Sequence, residues 1–161
     1  MPKIINRFLW LAEPPTNTTP LSLPVRNVIL LETSSPSCQD KPACILLVRH
    51  MQTNHKEGHS KWDIGYNFLI GDDGNVYQGR GWKVIGSHTF DWDNKSLGIA
   101  FIGTFKNKTP TDRQVEVAKK LIKAGVQMGY IRKGYNLYGG TDIGEGLKKM
   151  LSTWEHWAKK L

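Results

Sequence analysis

Two short runs without a polar side chain, Val28–Leu31 and Leu97–Ile102, constrain this chain more than any other feature. A strand with one face in water alternates polar and apolar residues, so an unbroken run predicts a strand covered on both faces, as at the centre of an α/β sheet. Ser34, Ser35 and Pro36 end the first of these strands, which is expected over Asn27 to Thr33. Neither run, nor the aliphatic stretch Ile45–Val48, approaches the roughly 20 residues that cross a bilayer.

The covering helices show in the periodicity. Ile45, Val48, Met51 or Gln52, and His55 recur at helical spacing up to Gly58. Val115, Ala118, Leu121, Ile122 and Gly125 line one side of a second helix, with a start expected at Thr109, Pro110 and Asp112. Leu147, Met150, Leu151, Trp154, Ala158 and Leu161 form the stripe of a last helix running from about Glu145. Tyr66–Ile70 and Asn75–Gln78 flank Asp73-Gly74, which predicts a hairpin with a type I′ turn. The expected fold is therefore α/β, a mixed central β-sheet flanked by three helices. A length of 161 residues suits one domain. We expect it over residues 27–161, preceded by an irregular arm, residues 1–26, that packs on it through Trp10 and leucine side chains.

The net charge of +8 comes from residues spread along the chain, with small clusters at Lys119, Lys120 and Lys123, at Lys148 and Lys149, and at Lys159 and Lys160. Such clusters read first as solvated helix faces and second as a surface for an anionic polymer. No zinc-finger, helix-turn-helix or RNP pattern accompanies them, so nucleic acid is not the expected partner. The two cysteines, Cys38 and Cys44, have no histidine or further cysteine beside them to complete a zinc site. A short-loop disulfide formed in an oxidising, extracellular compartment accounts for them better. Sequons at Asn17, Asn94 and Asn107 point the same way. No secretory signal opens the sequence, so an extracellular domain of a longer or processed precursor is expected.

Residues able to do chemistry are few. His50, His55 and His59 have the separation of helical metal ligands in part, but Gly58 falls between the last two and no third ligand stands out. Asp72 and Asp73 read as a turn once Gly74 and the flanking strands are counted, and Gly79-Arg80-Gly81 lacks the following helix that a phosphate cradle needs.

The strand Val28–Thr33, the Cys38/Cys44 pair, the run Asp63–Ile70, Asp73-Gly74-Asn75-Val76-Tyr77, Gly79-Arg80-Gly81-Trp82, Gly86-Ser87-His88, Ser96-Leu97-Gly98-Ile99 and Phe101-Ile102-Gly103 stand in an order that covers nearly the whole chain. Together they resemble the peptidoglycan recognition proteins of animal innate immunity, and among these the membrane-anchored insect receptors of the long C type. The resemblance implies an amidase-like fold with three helices and a groove for the muropeptide stems of bacterial cell walls. It also implies, for members that cut peptidoglycan, one zinc ion held by two His and one Cys. Here Leu31 takes the place of the first ligand His, Tyr138-Gly139-Gly140 replaces the Tyr-Gly-His that carries the second, and Thr141–Glu145 leads into the last helix without the loop that brings the Cys. Tyr66 alone remains of the catalytic set, and Glu32 and His88 are not expected to rebuild a metal site. We therefore expect no enzyme activity, no cofactor and no metal.

The resemblance also implies candidate stem-binding residues, His55, Tyr66, His88 and Lys95. His59, Ser60 and Lys61 stand where stem-binding members carry an Arg and an aromatic. Losing the planar fork of Arg weakens the case for carboxylate recognition. The favoured expectation is a non-catalytic receptor domain that pairs with a sibling domain presenting bound muropeptide, with Trp62, Phe90 and Trp92 as candidate interface anchors. The alternatives are direct binding of peptidoglycan fragments in its own groove, and a charge-driven module for anionic glycans.

Overall fold

In the computed structural model, which describes residues 1–161, the run Val25–Glu32 forms β2 and Ser96–Phe101 forms β5, paired in parallel from Asn27↔Ser96 to Glu32↔Phe101. Every residue of β5 is buried, as its unbroken apolar run requires. β3 (Phe68–Ile70) and β4 (Val76–Gln78) make the antiparallel hairpin, β6 is Ile131–Gly139, and two short edge strands, β1 (Ile4–Ile5) and β7 (Trp157–Lys160), complete a seven-stranded sheet of order β1-β4-β3-β5-β2-β6-β7. The other pairings are parallel. The sheet is therefore mixed, with three helices: α1 (Lys41–Thr53), α2 (Asp112–Gln127) and α3 (Glu145–Leu151).

Alternation along the strands sorts the two faces. Phe68 and Ile70 of β3 join Leu97, Ile99 and Phe101 of β5 against Ala118, Leu121 and Ile122 of α2 and Leu147 and Leu151 of α3. Leu69 and Tyr77 turn the other way, toward Cys44, Val48 and Met51 of α1. The second face beside α1 is left partly open at the carboxyl ends of β2 and β6, and the candidate groove lies there.

Four sequence expectations change in detail. The turn between β3 and β4 is not type I′: only Gly74 has positive φ, and its N–H donates to the Gly71 carbonyl, giving a three-residue loop that ends in a left-handed glycine. Asp73 is held out of that region because its carboxylate accepts from Asn75 and from the Tyr77 hydroxyl. The first helix starts earlier than its apolar stripe, because Asp40 caps it by accepting from the Ala43 N–H, and a π-helical turn, Asn54–Gly58, extends its end. The second helix is capped by Thr111, whose hydroxyl accepts from Gln114 while the Gln114 side chain accepts from the Thr111 N–H.

The fourth change is the largest. The stripe from Leu147 to Leu161 does not stay helical, since α3 ends at Leu151. Ser152 and Thr153 donate their hydroxyls back to the Lys149 and Met150 carbonyls, competing with the helix ladder. His156, at φ +73°, then turns the chain so that Trp157–Lys160 pairs with the free edge of β6.

Residues 1–26 hold more order than their prolines suggest. Ile4–Ile5 pairs with Val76–Tyr77, and Trp10 is fully buried, donating its indole N–H to the Gln78 carbonyl at 2.9 Å. Arg7 forms a 2.8 Å ion pair with the buried carboxylate of Asp63. Cys38 and Cys44 are joined in a buried disulfide. Closing so short a loop restricts the unfolded chain by about 2 kcal/mol. The double substitution Cys38→Ala, Cys44→Ala is thus expected to lower unfolding free energy by about that amount in urea titration; an unchanged midpoint would show that the bridge adds nothing.

Candidate functional site

The carboxyl ends of β2 and β6, the π-helical turn and the segment before β5 enclose a pocket of about 240 Å³ lined by Leu31, Glu32, His55, Lys61, Tyr66 and His88 among others. His55 and Tyr66 meet there edge to face, with ring centroids 5.5 Å apart. The Gly65 N–H donates to His55 Nδ1 at 2.8 Å, so the remaining ring proton sits on Nε2. Burial, and then the charge of Lys61, lower the His55 pKa to about 4. Burial, with Glu32 nearby, raises that of Tyr66 to about 12. Both rings are neutral at physiological pH.

His88 is held from below. Its ring lies against Gly98, where an added Cβ would come within 2.4–2.7 Å of ring atoms, so glycine at that point of β5 is what admits the imidazole. Its Nδ1 is 2.8 Å from the Thr89 hydroxyl, and the backbone N–H groups of His88 and Thr89 both donate to Asp93. Its Nε2 is buried without a partner. Burial lowers its pKa to about 4, against the opposing pull of Asp93.

Because both histidines fold in with pKa values depressed from 6.5, the unfolded chain binds more protons than the native one between those values. Their contribution is complete above about pH 6.5 and declines as pH falls toward 4. Equilibrium unfolding between pH 7 and 4 is expected to show stability falling with a slope that His88→Gln reduces by one proton. A slope unaltered by that variant would contradict the assignment.

Lys61 interrupts the groove. Its ammonium donates to the Ser87 carbonyl at 2.6 Å, and the lysine lines both this pocket and a neighbouring one of about 400 Å³ that runs past Trp62 and Arg80. Burial and the nearby Arg80 lower its pKa. Arg80 in turn donates to the carbonyls of Ile64 and Ile85, so the Gly79-Arg80-Gly81 segment serves as a pin. Asn67, fully buried, ties the same loop to β5 by donating to Gly81 and Val84 and accepting from Gly98.

The other sequence candidates are dispersed. Lys95 does not line the pocket; its ammonium sits 4.5 Å from the Trp92 ring centroid. Trp92 itself packs on Tyr138. Phe90 is bare, 89% exposed, and Trp62 is 42% exposed. Asn17, Asn94 and Asn107 are all exposed. Glu32 is a clamp that its place in the sequence does not announce: its two carboxylate oxygens accept from the Phe105 and Gly144 N–H groups at 2.9 and 2.6 Å. An acidic residue closing an apolar strand was the available signal, but it does not name partners so far along the chain.

Residues 21–154 match the family described as N-acetylmuramoyl-L-alanine amidase. The chain is 40% identical over 96% of its length to human peptidoglycan recognition protein 3, of which it spans 47%. It superposes with a TM-score of 0.93 on the ectodomain of the Drosophila transmembrane receptor PGRP-LCa, at 40% identity, covering 97% of this chain and all of that one. This chain belongs to the peptidoglycan recognition protein family.

A zinc ion, which the resemblance implies for peptidoglycan recognition proteins that cut, does not fit the residues present. The two positions that would bear histidines do face each other, since a Cβ on Gly140 would lie 2.8 Å from Leu31 Cδ2. One carries an aliphatic side chain and the other none. Glu32 is occupied by two backbone donors, and no group of three His, Cys, Asp or Glu side chains is arranged to hold a metal. We derive no hydrolytic step through zinc. No helix is long and apolar enough to cross a membrane.

Proposed function

We propose that this chain is a non-catalytic peptidoglycan-recognition domain of an innate immune receptor, an extracellular module that senses bacterial muropeptide by pairing with a related domain that presents the ligand. In this reading residues 27–161 form the recognition domain, residues 1–26 an arm packed on it, and Asn17, Asn94 and Asn107 carry glycans. The observation that carries it is the bar formed by Lys61 and the Ser87 carbonyl, which leaves a pocket of about 240 Å³, below the roughly 300–1,000 Å³ of ordinary ligand sites. The stem peptide is then better received elsewhere, and the exposed Phe90 offers an aromatic anchor for a partner. The complex of tracheal cytotoxin with the PGRP-LCa and PGRP-LCx ectodomains supports the reading, since the neighbour matches 97% of this chain at 34% identity with a TM-score of 0.94.

Sedimentation velocity of this chain mixed with a PGRP-LC-type ectodomain, with and without monomeric diaminopimelate-type muropeptide, tests it. A heterodimer is expected only when muropeptide is present, weakened about thirtyfold by Phe90→Ser. Failure to associate with muropeptide present would defeat the pairing reading. A second reading, direct binding in this chain's own groove, is favoured by the unpartnered Nε2 of His88. It predicts calorimetric binding of muropeptide by this chain alone, lost in His88→Ala.

A further inference from the structure

On the face of the sheet opposite the groove lies a larger cleft, about 470 Å³, that shares no residue with it. The break in the last helix creates it. Had the chain continued as a helix past Leu151, Trp154 would have extended the stripe, but the turn after Leu151, with the Trp154 N–H donating to the Leu151 carbonyl, sets Trp154 in one cleft with Ile122 and Val126 of α2 and Tyr135 of β6. Lys133 and Tyr135 of β6 share the side of the strand that buries Leu137, and with α2 they close the cleft.

The lining has two chemistries. The floor is apolar and flat-sided: Trp154, Ile122 and Val126 on one side, and on the other Tyr135, which stacks on His156 with ring centroids 4.1 Å apart and planes 15° from parallel. The rim is cationic. Lys119, Lys123 and Lys133 all line the cleft, and none of the three forms an ion pair with a carboxylate. Lys119 is already poised over the Trp154 ring, 4.9 Å from its centroid. Glu155 is the only acidic residue in the lining, and it is the rim's sole counter-charge.

His156 shows that the cleft wall is built. A left-handed backbone conformation at a residue other than glycine persists only where its surroundings hold it. Here three contacts do so: the Leu137 N–H donates to the His156 carbonyl, His156 Nδ1 donates to the Tyr135 carbonyl at 2.9 Å, and the two rings stack. With Nδ1 committed as donor to Tyr135 and Nε2 4.0 Å from the Glu155 carboxylate, the imidazole serves the cleft as a fixed, flat wall.

We propose that this cleft is a second binding site, for a small amphipathic anion: a flat or aliphatic body that lies between Trp154 and Tyr135, bearing one carboxylate, phosphate or sulfonate directed at Lys119, Lys123 and Lys133. Neither half alone suffices. Isolated surface ammonium groups hold anions weakly because water screens them, and the apolar walls alone do not select for charge. The cleft volume lies within the range of ordinary small-molecule sites.

The test uses anilinonaphthalene sulfonate as probe and uncharged N-phenyl naphthylamine as its control, read by amide and side-chain chemical shifts of the whole chain. Saturable shifts at Tyr135, Trp154 and His156 are expected with the sulfonate, and binding about tenfold or more weaker with the uncharged control. Lys123→Glu with Lys133→Glu, both exposed positions, is expected to abolish the shifts while leaving the thermal midpoint near that of the parent chain. Overturning results are shifts confined to the exposed Phe8, Leu9 and Leu11, equal affinity for both probes, or sulfonate binding undiminished in the charge-reversed variant. Lys119→Met, which keeps the stem over Trp154 and removes the charge, guards against a trivial packing effect: it is expected to weaken the sulfonate and not the control, and the reverse pattern would also overturn the site.

Discussion

Replacing Trp10 with alanine is expected to lower the unfolding free energy by about 4 kcal/mol, the middle of the range for a buried aromatic. Trp10 is fully buried in the cluster that holds the disulfide, Val48 and Tyr77, its indole N–H donates to the Gln78 carbonyl, and the Arg7 guanidinium lies 5.7 Å from its ring centroid. The substitution leaves a cavity and an unpaired carbonyl and frees the segment that carries β1 and the Arg7–Asp63 ion pair. Urea unfolding is the measurement, with Trp10→Phe expected to recover most of the loss because it refills the volume without the hydrogen bond. A loss under about 1 kcal/mol would mean that residues 1–26 add little to the fold.

Glu32→Ala is expected to cost about 3 kcal/mol, because it strands two backbone donors, Phe105 N–H and Gly144 N–H, that are now satisfied by one buried carboxylate. Glu32→Gln is the sharper variant. Both partners are donors, so the amide can accept from one and must turn its own NH₂ toward the other, and about half the loss is expected. Faster amide exchange at Phe105 and Gly144 should accompany both changes, since Glu32 pins both amides and Gly144 directly follows Thr141–Ile143, which line the pocket. Unchanged exchange at those two amides would show that other contacts hold the segment. A folded Glu32→Gln variant would also show whether the pocket wall matters to muropeptide-dependent pairing.

The strands and helices that could be read from the chain were those whose burial is one-sided or complete. β5 and the core of β2 announce themselves because no polar side chain interrupts them, and α2 because Ala118, Leu121, Ile122 and Gly125 return to one side every turn. The end of the chain misled for the opposite reason. Trp154, Ala158 and Leu161 fit a helical stripe, yet the free edge of β6 competes for the same backbone groups, and Ser152 and Thr153 tip the balance locally. The type I′ expectation at Asp73-Gly74 failed because side-chain hydrogen bonds to Asp73 hold its backbone, a contact with Tyr77 that the dipeptide alone does not reveal.

For the groove, the resemblance to peptidoglycan recognition proteins is what named His55, Tyr66 and His88 and set Leu31 and Gly140 at the places of zinc-holding histidines, and the structure lines one pocket with the first three. Those are statements about which side chains exist, and a sequence contains them. The bar at Lys61, the clamp at Glu32 and the cleft beside His156 arise from contacts spanning 26, 73 and 112, and 21 residues respectively. Only the tertiary structure decides them, because a long or charged side chain has many partners within reach in the unfolded chain, and folding selects one by placing a particular carbonyl or amide there and excluding water from the rest.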